Sequence, residues 1–246
     1  MLTANFVKKI LDKNFKNKTF IITGYSTGIG KQVSHDLKKL GSKLIFIGRT
    51  TTNNKNFYKC DLRNTKKLEE IIKIVSKKNK IIDGFVHSAG INECVPSNKI
   101  SIKNWQEIIS VNLTSAFIIS KEIKKKLEKS SNPSIVFISS IAGHRKSIVS
   151  GAHYVSSKAA LIGLAKQLSH EFGKEGIRVN CISPSQTITS MLKKSMTNSQ
   201  IKNLKKNIPL KRLATPKDQS YGILFLLSAF SKYISGTSLN IDGGQI

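Results

Sequence analysis

The chain has 246 residues, 39% of them apolar and 22% charged, and carries 41 Lys and Arg against 14 Asp and Glu for a net charge of +27. That length and apolar fraction suit one large α/β domain, 1–246, with a full core. Cys60, Cys94 and Cys181 form no Cys-x-x-Cys pair, which argues against a zinc or disulfide framework and for a reducing, cytoplasmic setting.

The positive charge invites a nucleic-acid reading, but only five of the basic residues are Arg (Arg49, Arg63, Arg145, Arg178, Arg212) and 36 are Lys. Phosphate and base recognition tends to recruit Arg. The Lys residues are scattered in pairs over polar faces of predicted helices, so a solvated basic surface is expected, with attraction to acidic partners or substrates and no nucleic acid. The longest apolar run, Gly222 to Phe230, is far below the roughly 20 residues of a membrane span. The N-terminal stretch up to Lys18 is too polar for a signal peptide. Its Phe6, Val7, Ile10 and Leu11 predict a short helix within a 1–16 extension, docked on the body.

Short apolar runs then alternate with longer amphipathic stretches, the pattern of βαβ units and a parallel sheet. The predicted strands are Thr19–Thr23, Lys43–Ile47, Phe57–Cys60, Ile82–His87, Ser134–Ser139, Ile177–Ile182 and Ser238–Ile241. The predicted helices are Gly28–Leu40, Thr65–Lys78, Ile102–Ile109, Asn112–Lys129, Ala152–Phe172, Thr189–Lys206 and Pro216–Phe230. Seven strands with helices between them imply a doubly wound Rossmann-type sheet with helices on both faces. Ligands bind such sheets beyond the carboxyl ends of the strands.

The first strand runs into Thr23-Gly-Tyr-Ser-Thr-Gly-Ile-Gly30. Gly24, Gly28 and Gly30 allow a tight turn, and the helix that follows offers N–H groups and a positive dipole end to a pyrophosphate. Ser26 and Thr27 can add hydroxyl contacts. About 20 residues on, where an acidic side chain would hold the ribose 2′-hydroxyl of NAD, the chain has Gly48 and then Arg49. A cation without a carboxylate suits a 2′-phosphate, hence NADP(H) over NAD(H), and a carboxylate at position 48 would be expected to reverse the preference. Asp61 follows the third strand beside Leu62; it can accept from the adenine amino group or satisfy loop N–H groups. The fourth strand ends His87-Ser88-Ala89-Gly90, where small residues let the backbone approach a cofactor ribose or simply make a tight turn; His87 reads as structural. Asn112 is a poor helix former inside a helical pattern. It can bend the helix and present a carbonyl to water, or act as an N-cap.

Tyr154 and Lys158 are four residues apart, so on a helix both project from one face. A free phenol has a pKa of about 10, and a neighbouring ammonium would draw it down. Ser140, at a strand end, can reach the same reacting oxygen. Together they make an acid/base with a polar anchor.

In this order and spacing, Thr23-Gly-x-x-x-Gly-Ile-Gly30, Ala89-Gly90, Asn112, Ser140, Tyr154-x-x-x-Lys158 and Ile241-Asp-Gly-Gly244 resemble the short-chain dehydrogenases/reductases, from about Asn17 to the C-terminus. The resemblance implies that Tyr154 protonates a carbonyl oxygen during reduction. Lys158 would lower the phenol pKa and bind the nicotinamide ribose, Ser140 would hold the substrate oxygen, and Asn112 would position a relay water. Ile29, Leu62, Ser88, Pro184, Thr187 and Thr189 fall at cofactor positions, with the Thr187 N–H meeting the carboxamide. Thr189 to Lys206 would be a lid. Two residues depart from the pattern: Ser185 stands where glycine is usual, and Ser88 replaces a common Asn. The C-terminal section resembles bacterial β-ketoacyl-acyl carrier protein reductases, which implies a homotetramer and a small or carrier-bound carbonyl substrate. Sugar or other alcohol dehydrogenases of the same family, and a silent dinucleotide-binding regulator, stand as alternatives.

Overall fold

Buried on both faces, the strands of a parallel sheet read as unbroken apolar runs, and Phe-Ile-Ile in Thr19–Thr23 or Ile-Val-Phe-Ile in Ser134–Ile138 are such runs. The computed structural model describes residues 11–190, 192 and 203–246. Its strands are β1 (Thr19–Thr23), β2 (Lys43–Gly48), β3 (Phe57–Lys59), β4 (Gly84–His87), β5 (Ser134–Ile138), β6 (Arg178–Pro184) and β7 (Ser238–Ile241). All pair in parallel in the order β3-β2-β1-β4-β5-β6-β7. The order reverses between β1 and β4, and that switch opens a crevice at the carboxyl ends.

The helices are α1 (Gly28–Lys39), α2 (Thr65–Lys78), α3 (Ile102–Ile109), α4 (Ser115–Leu127), α5 (Ala152–Gly173) and α6 (Pro216–Leu227). One apolar layer packs Leu68, Ile72, Ile119, Ile123 and Leu161, from α2, α4 and α5, on one sheet face. The other packs Val33, Leu37, Ile223 and Leu226, from α1 and α6, on the opposite face. Asp36 of α1 is buried and accepts from Lys217 Nζ and Ser220 Oγ of α6, at 2.7 Å each, which locks these two helices together. No helix among the described residues is long and apolar enough to cross a membrane.

Element boundaries match the expectations to within one or two residues at most positions, with three differences. The helix expected at Asn112 starts earlier: residues Ser110–Thr114 form a π-helical turn joining α3 to α4, with helical backbone on both sides. Asn112 is therefore inside a helix and is not an N-cap. Helix α6 stops at Leu227, where Ser228 adopts an extended conformation, and Ala229–Ser231 form a separate 3₁₀ turn. At the N-terminus, 11–15 is helical and Phe15 is buried against Phe20. Leu11 packs on the same layer, while Phe6, Val7 and Ile10 lie outside the described residues.

Candidate active site

A cavity of about 780 Å³ runs along the carboxyl ends of the strands, lined by the loops after β1 to β7. Its floor is the glycine turn. Gly24 has φ +68°, and a Cβ there would lie 2.5 Å from the Ser88 carbonyl carbon and the Ala89 nitrogen. Only glycine permits that approach between the turn and the loop after β4. Thr27, at the N-cap of α1, makes no side-chain cap, and the first turn of α1 holds no acidic residue. The N–H groups of that turn are left for a ligand, and the residues present fit the phosphates of a dinucleotide. Gly90 fits the ribose end: a Cβ there would stand 3.4 Å from Lys158 Nζ and 3.6 Å from Asn112 Oδ1.

At the other end of the crevice, Arg49 is exposed and makes no hydrogen bond or ion pair to any described residue, although its charge is felt by Asp61. Asp61 satisfies loop and guanidinium donors while it also lines the cavity. Its carboxylate accepts from the Arg63 backbone N–H at 3.0 Å and from the Arg63 guanidinium at 2.7 Å, and this pairing holds its pKa below the usual carboxylate value. Arg63 also reaches Glu107 at 3.2 Å. Among the described residues Arg49 is thus the cation left for a ligand here, because Arg63 is paired with Asp61 and Glu107.

The reactive cluster lies where β5, α5 and the π-turn meet. Ser140 follows β5, and its hydroxyl accepts from Ala142 N–H at 3.1 Å and lies beside the Tyr154 phenol, whose ionised form it favours. Lys158 is buried, donates to the Ile138 carbonyl at 2.7 Å, and sits 5.5 Å from the Tyr154 ring centroid. The expectation that Lys158 draws the phenol pKa down is not met in this arrangement. Burial pushes the Tyr154 pKa up and only the neighbouring Ser140 hydroxyl opposes it, so the phenol is protonated at neutral pH, the form an acid needs. Burial also brings Lys158 down to about 8.

The ordinary value for Lys158 is 10.5, so between about pH 8 and 10.5 the unfolded chain holds a proton that the folded chain has released. Stability therefore rises with pH across that window, and the cost of burying the ammonium is fully present below it. Lys158→Met removes this dependence. The gap in melting temperature between wild type and the variant should move in favour of wild type as pH passes from below 8 to 10.5; a constant gap would mean that Lys158 keeps an ordinary ammonium.

Asn112 acts from behind the cavity wall. Its side chain donates to the Ile91 carbonyl and Ser157 Oγ, each at 3.0 Å, and accepts from Ile91 N–H at 2.9 Å, pinning the loop after β4 to α5. Its backbone carbonyl accepts from His87 Nε2 at 3.2 Å, and His87 Nδ1 lies 2.9 Å from Thr23 Oγ1. Burial holds His87 near pKa 3, so the imidazole is neutral and structural.

Of the expected site residues, Gly24, Ser26, Thr27, Gly28, Ile29, Arg49, Asp61, Leu62, Ser88, Ala89, Gly90, Ser140, Tyr154, Lys158, Thr187 and Thr189 line the cavity. Three do not. Gly30 packs α1 on β1, since a Cβ there would meet the Gly24 carbonyl oxygen at 2.2 Å. Pro184 is paired in the sheet with Ile241, and Asn112 works through its neighbours. Ser185 is accommodated without left-handed backbone, so glycine is not required there. The bonds Ala214 N–H to Gln186 O and Ile188 N–H to Ala214 O flank Thr187 and leave its own N–H out of the pairing. Of the expected lid, Thr189, Ser190, Leu192 and Leu204 line the cavity; the intervening residues, Leu192 apart, lie outside the described residues. The sequence reading did not assign Tyr25, Arg145, Lys146, Gln186 or Gln245, which also line it. Only their proximity to motifs could have suggested them.

The expected reversal by a carboxylate at position 48 meets a tight spot. A Cβ on Gly48 would stand 3.0 Å from Tyr25 Cε1, so the ring must give by a few tenths of an ångström before an aspartate is seated.

Known proteins share this architecture. A family model described as enoyl-(acyl carrier protein) reductase matches residues 24–245. The chain is 32% identical over 247 residues to the 3-oxoacyl-[acyl-carrier-protein] reductase of Rickettsia typhi, covering 95% of this chain and 98% of that protein. Its structure is similar to that of a candidate NAD(P)-dependent gluconate 5-dehydrogenase from Beutenbergia cavernae with bound NADP, with a TM-score of 0.88, 25% identity, and coverage of 94% and 97% of the two chains. A short-chain dehydrogenase from Leptospira borgpetersenii with bound NAD⁺ gives a TM-score of 0.88 at 28% identity, over 100% and 97%. With the family model spanning nearly the whole chain and a full-length relative at this identity, the chain belongs to the short-chain dehydrogenase/reductase family, oxidoreductases that act on carbonyl and CH–OH groups.

Proposed function

We propose that this protein is an NADP(H)-dependent carbonyl reductase in which Tyr154 is the acid and Ser140 and Lys158 set its environment. The observation that carries this reading is the convergence of Ser140, Tyr154 and the buried Lys158 in the same cavity as an uncapped helix N-terminus. When bound, the nicotinamide supplies or accepts the hydride. Ser140 and Tyr154 orient the substrate oxygen through their hydroxyls, and Tyr154 delivers its proton to that oxygen. Lys158, held on Ile138, presents its ammonium toward the space beside Gly90 that would take the ribose. The unpaired Thr187 N–H is the group placed for the carboxamide. Arg49 selects the 2′-phosphate, in keeping with NADP in the Beutenbergia relative. One sheet carries both the cofactor and the catalytic residues, so binding and chemistry belong to one domain.

The substrate we infer is a 3-oxoacyl group on an acidic carrier, as the name of the Rickettsia relative states for that protein. Arg145 and Lys146 line the cavity as cations suited to such a carrier. We infer a cytoplasmic tetramer: Tyr221 and Phe225 on α6, with Phe230 and Tyr233 beyond it, are exposed at 61%, 39%, 60% and 104%, more apolar surface than the sheet needs. The test is NADPH oxidation with 3-oxoacyl thioesters, sugars and small alcohols, on protein whose mass is measured by light scattering. Turnover of the thioesters by a species of four chains is expected. Polyol oxidation alone would move the substrate to the sugar branch, absence of all turnover would favour a silent regulator, and a monomer mass would refute the assembly.

A further inference from the structure

Tyr25 occupies the first variable position of the glycine turn, yet its side chain leaves the turn and lies under the loop that follows β2. Its ring is buried and stacks on Phe46 of β2 at 4.5 Å with a 20° interplanar angle, and it meets the edge of Phe57 of β3 at 6.1 Å. Its Cε1 fills the space where a Gly48 side chain would begin. Its hydroxyl donates to the carbonyl of Thr50. The two residues flanking Arg49 are therefore both held by one side chain: Gly48 from beneath by the ring, Thr50 through the hydroxyl. Further along, the loop is tied to β2 through Asn54, whose Nδ2 donates to the Leu44 carbonyl at 3.1 Å, and Asn56, whose carbonyl accepts from Phe46 N–H at 3.0 Å; between Gly48 and Thr50, Arg49 is exposed and makes no bond to any described residue. Burial raises the Tyr25 pKa, which keeps its hydroxyl a donor.

We propose that Tyr25 is a positioning residue for cofactor choice: it couples the pyrophosphate-binding turn to the Arg49 loop and holds the guanidinium where an adenosine 2′-phosphate would sit. This rests on the reading of Arg49 as the 2′-phosphate residue. The physical basis is entropic. An exposed Arg on an untethered loop must give up backbone and rotamer freedom on meeting the phosphate. A loop held on both sides of Arg49 has already lost the backbone share. The 2′-hydroxyl of NADH makes no demand on Arg49, so the tether should matter only for the phosphorylated cofactor.

Calorimetric titration of NADPH and NADH into wild type and Tyr25→Phe tests this. The variant keeps the ring stack and loses only the hydroxyl. One neutral hydrogen bond contributes about 0.5–1.5 kcal/mol, so NADPH should bind roughly three- to tenfold more weakly. NADH affinity should stay within about twofold. A second variant, Gly48→Ala, should weaken NADPH in the wild-type background and have a smaller effect once Tyr25→Ala has removed the ring, a coupling that a double-mutant cycle reads directly. Equal weakening of both cofactors by Tyr25→Phe would make Tyr25 a general packing residue and overturn the proposal. An unchanged NADPH/NADH ratio in that variant would do the same. If wild type itself binds NADH as tightly as NADPH, the reading of Arg49 fails and the proposal with it; that outcome is visible without any variant.

Discussion

Tyr154→Phe should lower carbonyl reduction by about 10²–10⁴-fold, the range a positioned general acid contributes, while NADPH binding stays nearly unchanged. The substitution removes one hydroxyl and keeps the ring in its half-buried seat on α5. Lys158 keeps its bond to the Ile138 carbonyl and Ser140 its bond from Ala142 N–H, so the walls of the site remain. What is lost is the proton donor. Ser140 still offers a hydrogen bond to the substrate oxygen, but an aliphatic hydroxyl is a far weaker acid than a phenol. Single-turnover measurement of NADPH absorbance, paired with a binding titration, separates the two effects. Turnover near the wild-type rate would remove Tyr154 from its role. A parallel loss of binding and turnover would assign it to cofactor packing.

Arg49→Ala is expected to weaken NADPH by roughly tenfold or somewhat more and to leave NADH almost untouched. A charge-assisted hydrogen bond contributes about 1.5–3 kcal/mol, or one to two decades. Arg49 is exposed, so solvent screening places the effect toward the lower end. Among the described residues no second free cation stands beside it: Arg63, which also lines the cavity, is committed to Asp61 and Glu107. The preference should also fall as salt rises, because exposed charges are screened within about 10 Å at 0.1 M ionic strength. Equal losses for both cofactors in this variant would show that Arg49 serves the adenosine generally and does not discriminate. Gly48→Asp is a poorer test than it first looks. A smaller gain for NADH than a free carboxylate would give is its expected outcome, because the new side chain must first shift the stacked Tyr25 ring by a few tenths of an ångström.

The fold and the main site groups were legible in the sequence because they depend on local rules. Apolar runs bounded by turn residues locate the strands, the 3.6-residue period locates the helices, and Gly24, Tyr154 and Lys158 announce themselves by spacing along one element. Three things were decided only by tertiary contact. The protonation of Tyr154 depends on how much protein surrounds the phenol and on where the Lys158 ammonium bonds; a four-residue spacing says that both share a helix face, not that the ammonium turns to the Ile138 carbonyl. Asn112 became the hub of a π-turn through Ile91 and Ser157, residues 21 and 45 positions away. The place of Tyr25 beneath Gly48 exists only because β1 and β2 are neighbours in the sheet, which brings the glycine turn and the Arg49 loop side by side. A sequence pattern encodes which face of an element a side chain takes, whereas charge state and partner choice follow from burial and distance, and these are set by the whole packed molecule.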